Sequence, residues 1–317
     1  MNPTMKAFLR RGGLSLLSLV LLSLIIFFVV QVMPGDVGRR ILGSLADQRS
    51  VDKLNEALGV NRPAIIQYLD WAGHFISGDF GTSFVYREPV APLVMRAFSN
   101  SLLLAAFSIT LALPCSVILG LVAARNDRNW IGGGITVSSV VATAIPEFVV
   151  GVVLLIIFGV TLAIFPTSAE VPTGSTFSQR LWALVLPSAT IALTLGGYLT
   201  RVVRARAREV YLSDYVRFAR TLGSGEADIF RQNVLGNSIV PAIPVIATQI
   251  GYLIGSLTVV ELLFNYDGLG LLILNASRKL DLPMLMASVL VSGIFFMTSI
   301  LVGDALVQVL DPRRRLR

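Results

Sequence analysis

The sequence predicts an all-α polytopic membrane protein with six transmembrane helices. Only 14% of its 317 residues are charged and 54% are hydrophobic, whereas a soluble domain carries roughly 25% charged residues. Mean hydropathy is +0.75. Six stretches are apolar enough to cross a bilayer, which takes about 20 residues at 1.5 Å each with every backbone group bonded inside the helix. They fall at 12–33, 101–124, 136–164, 181–200, 238–262 and 284–308, and the whole of 1–317 reads as one membrane domain.

The first span resembles a signal peptide only superficially. Its apolar run is longer than the 7 to 15 residues of such a segment, and Val32-Met33-Pro34 lacks small residues at a cleavage site. The 34–98 loop that follows mixes Tyr68, Trp71, Phe75 and Phe80 with balanced charge, so short amphipathic helices lying over the spans are expected. Pro146 is expected to kink the third span, as are Pro187 in the fourth and Pro244 in the fifth.

Charge sorts by loop. With the N-terminus inside, the inner segments hold 16 basic and 6 acidic residues, and the outer ones 10 of each. An inner excess of Lys and Arg puts both termini in the cytoplasm. The net charge of +7 is absorbed by orientation and lipid head groups, with no call on nucleic acid. One cysteine, Cys115, and one histidine, His74, offer neither a disulfide nor a Cys-based zinc site, so no metal site and no catalytic residue is expected. An intramembrane enzyme would need convergent nucleophile, base or metal ligands, and none is apparent. A self-sufficient secondary carrier would show paired broken helices in inverted repeats, which six unequal spans do not display.

The inner loop, 201–236, carries the mechanistic information. On a helix from Ser213, residues Tyr215, Phe218, Ala219 and Leu222 recur on one face, with Arg217 and Arg220 opposite. Ser213 or Asp214 is placed to cap it. Gly223-Ser224-Gly225 breaks it, and a second short helix follows with Glu226 and Asp228 at its start and Arg231 near its end. Two short helices at an angle form a knob that is either an interfacial hairpin or a part that transmits force.

Other positions are singled out with alternatives open. Glu147 and Glu261, acids in or at the edge of spans, serve structure or a translocation path. Gly251 and Gly255 give the fifth span a small face, for packing within the chain or for pairing with a second chain. Arg201, Arg204 and Arg208 share one face of the fourth helix's inner extension, as lipid-phosphate anchors or partner contacts. Asp304 reads as a partner for the basic tail.

The stretch from Arg217 to Gly236 resembles the cytoplasmic loop of ATP-binding cassette (ABC) importer permeases, whose pattern is Glu-Ala-Ala, three residues, Gly, nine residues, Ile-x-Leu-Pro. Arg217, Phe218 and Ala219 fall at the first three positions, Gly223 at the Gly, and Asn233 and Leu235 at the Ile and Leu. Only Ala219, Gly223 and Leu235 match outright, and Gly236 replaces the final Pro. These departures resemble the dipeptide, oligopeptide and nickel branch. Further matches to that branch occur in order along the chain: Pro34-Gly35-Asp36, Leu58-Gly59, Gly78-Asp79-Phe80-Gly81-Thr82-Ser83, Pro146-Glu147-Phe148, Asp267-Gly268-Leu269-Gly270 and Asp311-Pro312-Arg313.

The resemblance implies a type I ABC importer permease of the bacterial inner membrane with cytoplasmic coupling helices. Such a chain pairs with a second permease, in a heterodimer, around the path, and takes cargo from an extracytoplasmic substrate-binding protein. Its knob, here Tyr215, Arg217, Phe218, Ala219, Arg220, Gly223, Gly225 and Leu235, docks on one of two ATPase subunits. No G-x-x-x-x-G-K-[S/T] phosphate loop occurs, so ATP and Mg²⁺ are expected on the partner subunits, with no cofactor in this chain. Di- and oligopeptides are the implied cargo, with nickel chelates and modified peptides as alternatives.

Overall fold

The structure is a computed structural model and describes residues 3–32, 37–43, 45–57, 62–172, 174–239 and 243–310. Helices dominate them, and the one β-pairing among the described residues is an isolated bridge between Thr82 and Pro89. In order, the helices are α1 (Pro3–Val32), α2 (Val37–Leu42), α3 (Gln48–Ala57), α4 (Ala64–Ile76), α5 (Val90–Arg125), α6 (Trp130–Ala144), α7 (Glu147–Leu154), α8 (Phe177–Ala183), α9 (Val185–Tyr211), α10 (Asp214–Thr221), α11 (Glu226–Ile229), α12 (Leu235–Ile239), α13 (Ile243–Leu263), α14 (Leu269–Arg278) and α15 (Leu282–Leu310). π-helical stretches continue α7 through Leu155–Thr161 and join α11 to α12 through Phe230–Val234.

Among the described residues three helices are long and apolar enough to cross a membrane: Arg10–Val30 within α1, α5, and Leu282–Gly303 within α15. Two bent pairs, α6 with the α7 segment and α8 with α9, raise this to five if each is one span. The apolar 21-residue α13 occupies the expected fifth segment. Leucine, valine and isoleucine side chains stand exposed along α1, α6 and α7, as lipid-facing surfaces require.

The sequence reading differs from the structure in how proline acts. Instead of one kinked helix over 136–164, α6 stops at Ala144 and α7 starts at Glu147, the two meeting at 102°. Pro146 sits at the N-cap of α7 with φ −56° and ψ 137°, where its missing N–H costs no intrahelical bond. Pro187 and Pro244 likewise lie in the first turns of α9 and α13. The 52° bend near Pro187 falls at the junction of α8 and α9, so it breaks two helices apart rather than kinking one.

The core centres on α5 and α9. From α9, Ile191, Leu195, Leu199, Val203 and Ala207 form a buried ridge at steps of four. Facing it, α5 buries mostly small residues, among them Ala105, Ser108, Ala112 and Ser116. Lipid tails are as apolar as leucine, so close approach of backbones at such small residues, rather than a hydrophobic force, holds spanning helices together. At one end α4 lies along α1, where Phe27 meets the rings of Tyr68 and Trp71 with centroids 5.5 and 5.7 Å away. Phe75 then stacks on Phe80 at 4.5 Å. At the other end a separate cluster ties the knob to α5 and α9.

Candidate functional site: the knob and the membrane-depth carboxylates

The knob begins where α9 ends. Ser213 occupies the N-cap position of α10, but its hydroxyl donates to the carbonyl of Val210 and makes no cap. The acidic Asp214 sits in the first turn and Arg220 in the last, both favoured by the helix dipole. α10 closes in a Schellman motif: the Gly223 N–H donates to Arg220 (3.0 Å) and the Ser224 N–H to Ala219 (3.1 Å). Gly223 has φ +82°, a left-handed conformation that side chains with a Cβ adopt only at a cost.

The helix anchors through Val216, which is fully buried, together with Ile229 and Val234 from the following segment. These three pack on Leu121, Ala124, Val203, Ala207 and Val210. Burial of each is worth roughly 1.5–3 kcal/mol as an upper bound, so the knob is seated firmly on the ends of α5 and α9. The stripe read from the sequence points the other way: Tyr215, Phe218 and Leu222 are 44%, 64% and 69% exposed. Val216 lies one residue off that stripe and leaves no periodic signal in the sequence. Only Ala219 of the stripe packs on the cluster, and Leu235 does so as well.

The arginines divide. Arg217 is exposed and, among the described residues, pairs with Asp214 at 4.0 Å. Arg220 forks onto Glu226 through Nε (2.7 Å) and Nη2 (3.4 Å), locking α10 to α11 across the glycine turn. That hydrogen bond, more than the charge itself, holds the Glu226 carboxyl below its usual range. Gly225 is the N-cap of α11, its carbonyl accepting from Asp228 and Ile229. Arg204 and Arg208 turn their guanidinium groups onto Asp127, in the turn between α5 and α6, at 2.7 and 2.8 Å.

Glu261 also has a structural place. Its side chain is fully buried, and its carboxylate accepts from Ser101 Oγ (2.6 Å) and from the backbone N–H groups of Leu271 (2.9 Å) and Gly270. Ser101 Oγ in turn accepts from the Leu269 N–H at 2.7 Å. Together they satisfy the free amides at the start of α14, where the helix dipole favours a negative charge. Gly268 is required for this, because a Cβ there would land on the Glu261 carboxylate. Asp281, which the sequence reading passed over, plays a matching role: it accepts from the Ser83 hydroxyl and from the amides of Phe84 (3.2 Å) and Val85 (3.4 Å). The Gly78 to Ser83 motif is thereby fastened to the start of α15.

Glu147 stands apart from these. It opens α7 at the right-angle break and faces a cavity of about 280 Å³ between α6, α9 and α13. Thr143, Thr194, Tyr198 and Gln249 supply its other polar groups, and aliphatic side chains complete the wall. Among the described residues Glu147 has no hydrogen-bond or ion-pair partner, and the buried Thr194 hydroxyl has none either. No group of three or more His, Cys, Asp or Glu side chains able to hold a metal occurs among the described residues.

The surroundings of Gly251, Gly255 and Asp304, and the whole of Pro34-Gly35-Asp36, Leu58-Gly59 and Asp311-Pro312-Arg313, lie outside the described residues.

Residues 116–316 match the model of the binding-protein-dependent transport system inner membrane component family, and residues 4–105 match that family's N-terminal component. The chain is 32% identical to the oligopeptide transport system permease protein AppB of Bacillus subtilis, over 96% of this chain and 98% of that one. The dipeptide transport system permease protein DppB of Lactococcus lactis is 30% identical, over 98% and 99%. The glutathione transport system permease protein GsiC of Salmonella typhi is 30% identical, over 95% of each chain. A transport permease rather than an enzyme, this chain belongs to the inner membrane component family of binding-protein-dependent ABC importers, which work with an ATPase and a substrate-binding protein.

Proposed function

We propose that this chain is one of two unlike permeases in an ATP-driven importer of di- and oligopeptides, with both termini cytoplasmic, and that it couples to one of two ATPase subunits through the 213–236 knob. The observation that carries the coupling role is the knob's construction. A short helix presents Tyr215, Phe218 and Leu222 outward while Val216, Ile229 and Val234 root it in the ends of the two central helices. An exposed apolar face on a rigid mount is what a docking element needs, and movement of such a mount is passed to α5 and α9 without loss in a flexible linker. Arg217, exposed and 4.0 Å from Asp214, is placed to turn toward a partner, whereas Arg220 keeps the knob in shape.

The inner charge excess supports the orientation, and with it the knob lies on the cytoplasmic side. ATP and Mg²⁺ belong to the partner subunits. Peptide cargo is supported by the names of relatives that match nearly end to end and are themselves permeases for oligopeptides, dipeptides and glutathione. The test is to express the chain with its genomic neighbours, purify it, and assay ATP hydrolysis with and without the cognate binding protein loaded with peptide. The expected result is recovery of a second permease and two ATPase subunits, with hydrolysis stimulated by loaded binding protein. Recovery of this chain alone, in a preparation that preserves a known complex, would contradict the proposal.

A further inference from the structure

The geometry points to the cavity around Glu147 as the place where this chain holds the cationic amine of a peptide in transit, a proposal that rests on the peptide-import reading above. A carboxylate at membrane depth is costly unless it is paired or faces water. Glu261 answers that cost with hydrogen bonds from the Ser101 hydroxyl and the Leu271 amide. Glu147 does not: it meets no partner among the described residues, and no Lys, Arg or His lines the cavity. The cavity is therefore built for a positive charge that arrives from outside the chain.

The other polar groups fit an ammonium. An ammonium brings three donors and no acceptor. Glu147 offers the charge, and the buried Thr194 hydroxyl is unmatched. Thr143 Oγ1 donates to Val140 at 3.0 Å, so its lone pairs remain free. Gln249 adds an amide oxygen and Tyr198 a phenol. At about 280 Å³ the cavity lies just below the usual 300–1,000 Å³ of small-molecule sites, room for one end of a peptide and not its length. Its position also fits, because the walls come from three helices that meet at the right-angle break between α6 and α7.

The N-terminus is the amine every unblocked peptide carries; a lysine side chain is a second source of the same chemistry. The test uses vesicles holding the full complex, with binding protein loaded in turn by Ala-Ala-Ala, N-acetyl-Ala-Ala-Ala and N-acetyl-Ala-Lys-Ala. Loading is measured separately, so that uptake is expressed per loaded binding protein. The wild-type complex should import the free-amine peptide at least tenfold faster than its acetylated form, the effect of one charge-assisted hydrogen bond. Glu147→Gln, of the same shape, should erase that preference, and Thr194→Val should reduce it. Recovery with the lysine peptide assigns the site to any amine; no recovery assigns it to the N-terminus.

An undiminished preference in Glu147→Gln would overturn the proposal while leaving peptide import intact. So would a Glu147→Gln complex that loses its second permease, because the carboxylate would then be paired across the subunit interface. If the wild-type complex imports none of the three peptides, the peptide reading itself fails and this proposal falls with it.

Discussion

Replacing Glu261 by alanine is expected to loosen α14 by a predictable amount. The carboxylate accepts from Ser101 Oγ and from the amides of Leu271 and Gly270 at a site with no solvent exposure. Each buried donor left without an acceptor costs about 1–3 kcal/mol, and loss of the charge at the helix start costs about 0.3–2 kcal/mol more. Partial relaxation brings the net to about 3–5 kcal/mol. At about 1.4 kcal/mol per tenfold, local opening of α14 should become roughly 10²- to 4 × 10³-fold more frequent. Hydrogen exchange of the Leu272 to Leu274 amides in the purified complex reads this directly. Glu261→Gln keeps the shape and one accepting oxygen, so about half the effect is expected. Gly268→Ala, whose methyl group displaces the carboxylate, should resemble the alanine variant. Exchange within threefold of wild type in Glu261→Ala would refute the capping role and reopen a place for Glu261 in transport.

Three further outcomes follow from the knob. Gly223→Val forces a β-branched residue to φ +82° at roughly 1–2 kcal/mol, and is expected to leave insertion intact while uncoupling peptide uptake from ATP hydrolysis; normal uptake per ATP would remove Gly223 from the coupling path. Because the Arg220 hydrogen bond holds the Glu226 carboxyl below its ordinary pKa of 4.5, the pair's support is fully present above about pH 4.5. It should fade as pH falls through the lowered value, so a nitroxide at position 222 should gain mobility only below that range, and Glu226→Gln should show the mobile spectrum at neutral pH. Asp127→Asn removes the shared partner of Arg204 and Arg208 at about 1–3 kcal/mol; a double-mutant cycle with Arg204→Gln that shows no coupling energy would dismiss the clamp.

Much of the fold is legible in the sequence because a bilayer demands long uninterrupted apolar helices, and composition alone reports them. The turn at Gly223 is legible too, since few residues other than glycine accept its φ. What escapes is the pairing of polar groups far apart in sequence. Ser101 and Glu261 are 160 positions apart and Ser83 and Asp281 are 198 apart, so neither pair leaves a periodic trace. Asp127 is a lone acid among basic neighbours, which reads as exception rather than as the grip for two arginines. The knob misleads for another reason. Its apolar stripe is real, but periodicity cannot tell a face that packs inward from one left open for a partner, and the anchoring falls to Val216, off that stripe, with Ile229 and Val234. Proline misleads similarly, because a helix-initiating proline and a kinking one look alike until the break between Ala144 and Glu147 is seen.

The central claim is that the outward face of α10 meets an ATPase. It is tested most directly by replacing Cys115, the single cysteine, with serine, placing a photoreactive group on a cysteine at Phe218, and illuminating the intact complex in vesicles. The account predicts a cross-linked product of this chain with one ATPase subunit, altered in yield when ATP is bound. An intact, ATP-hydrolysing complex in which position 218 labels only lipid would contradict it.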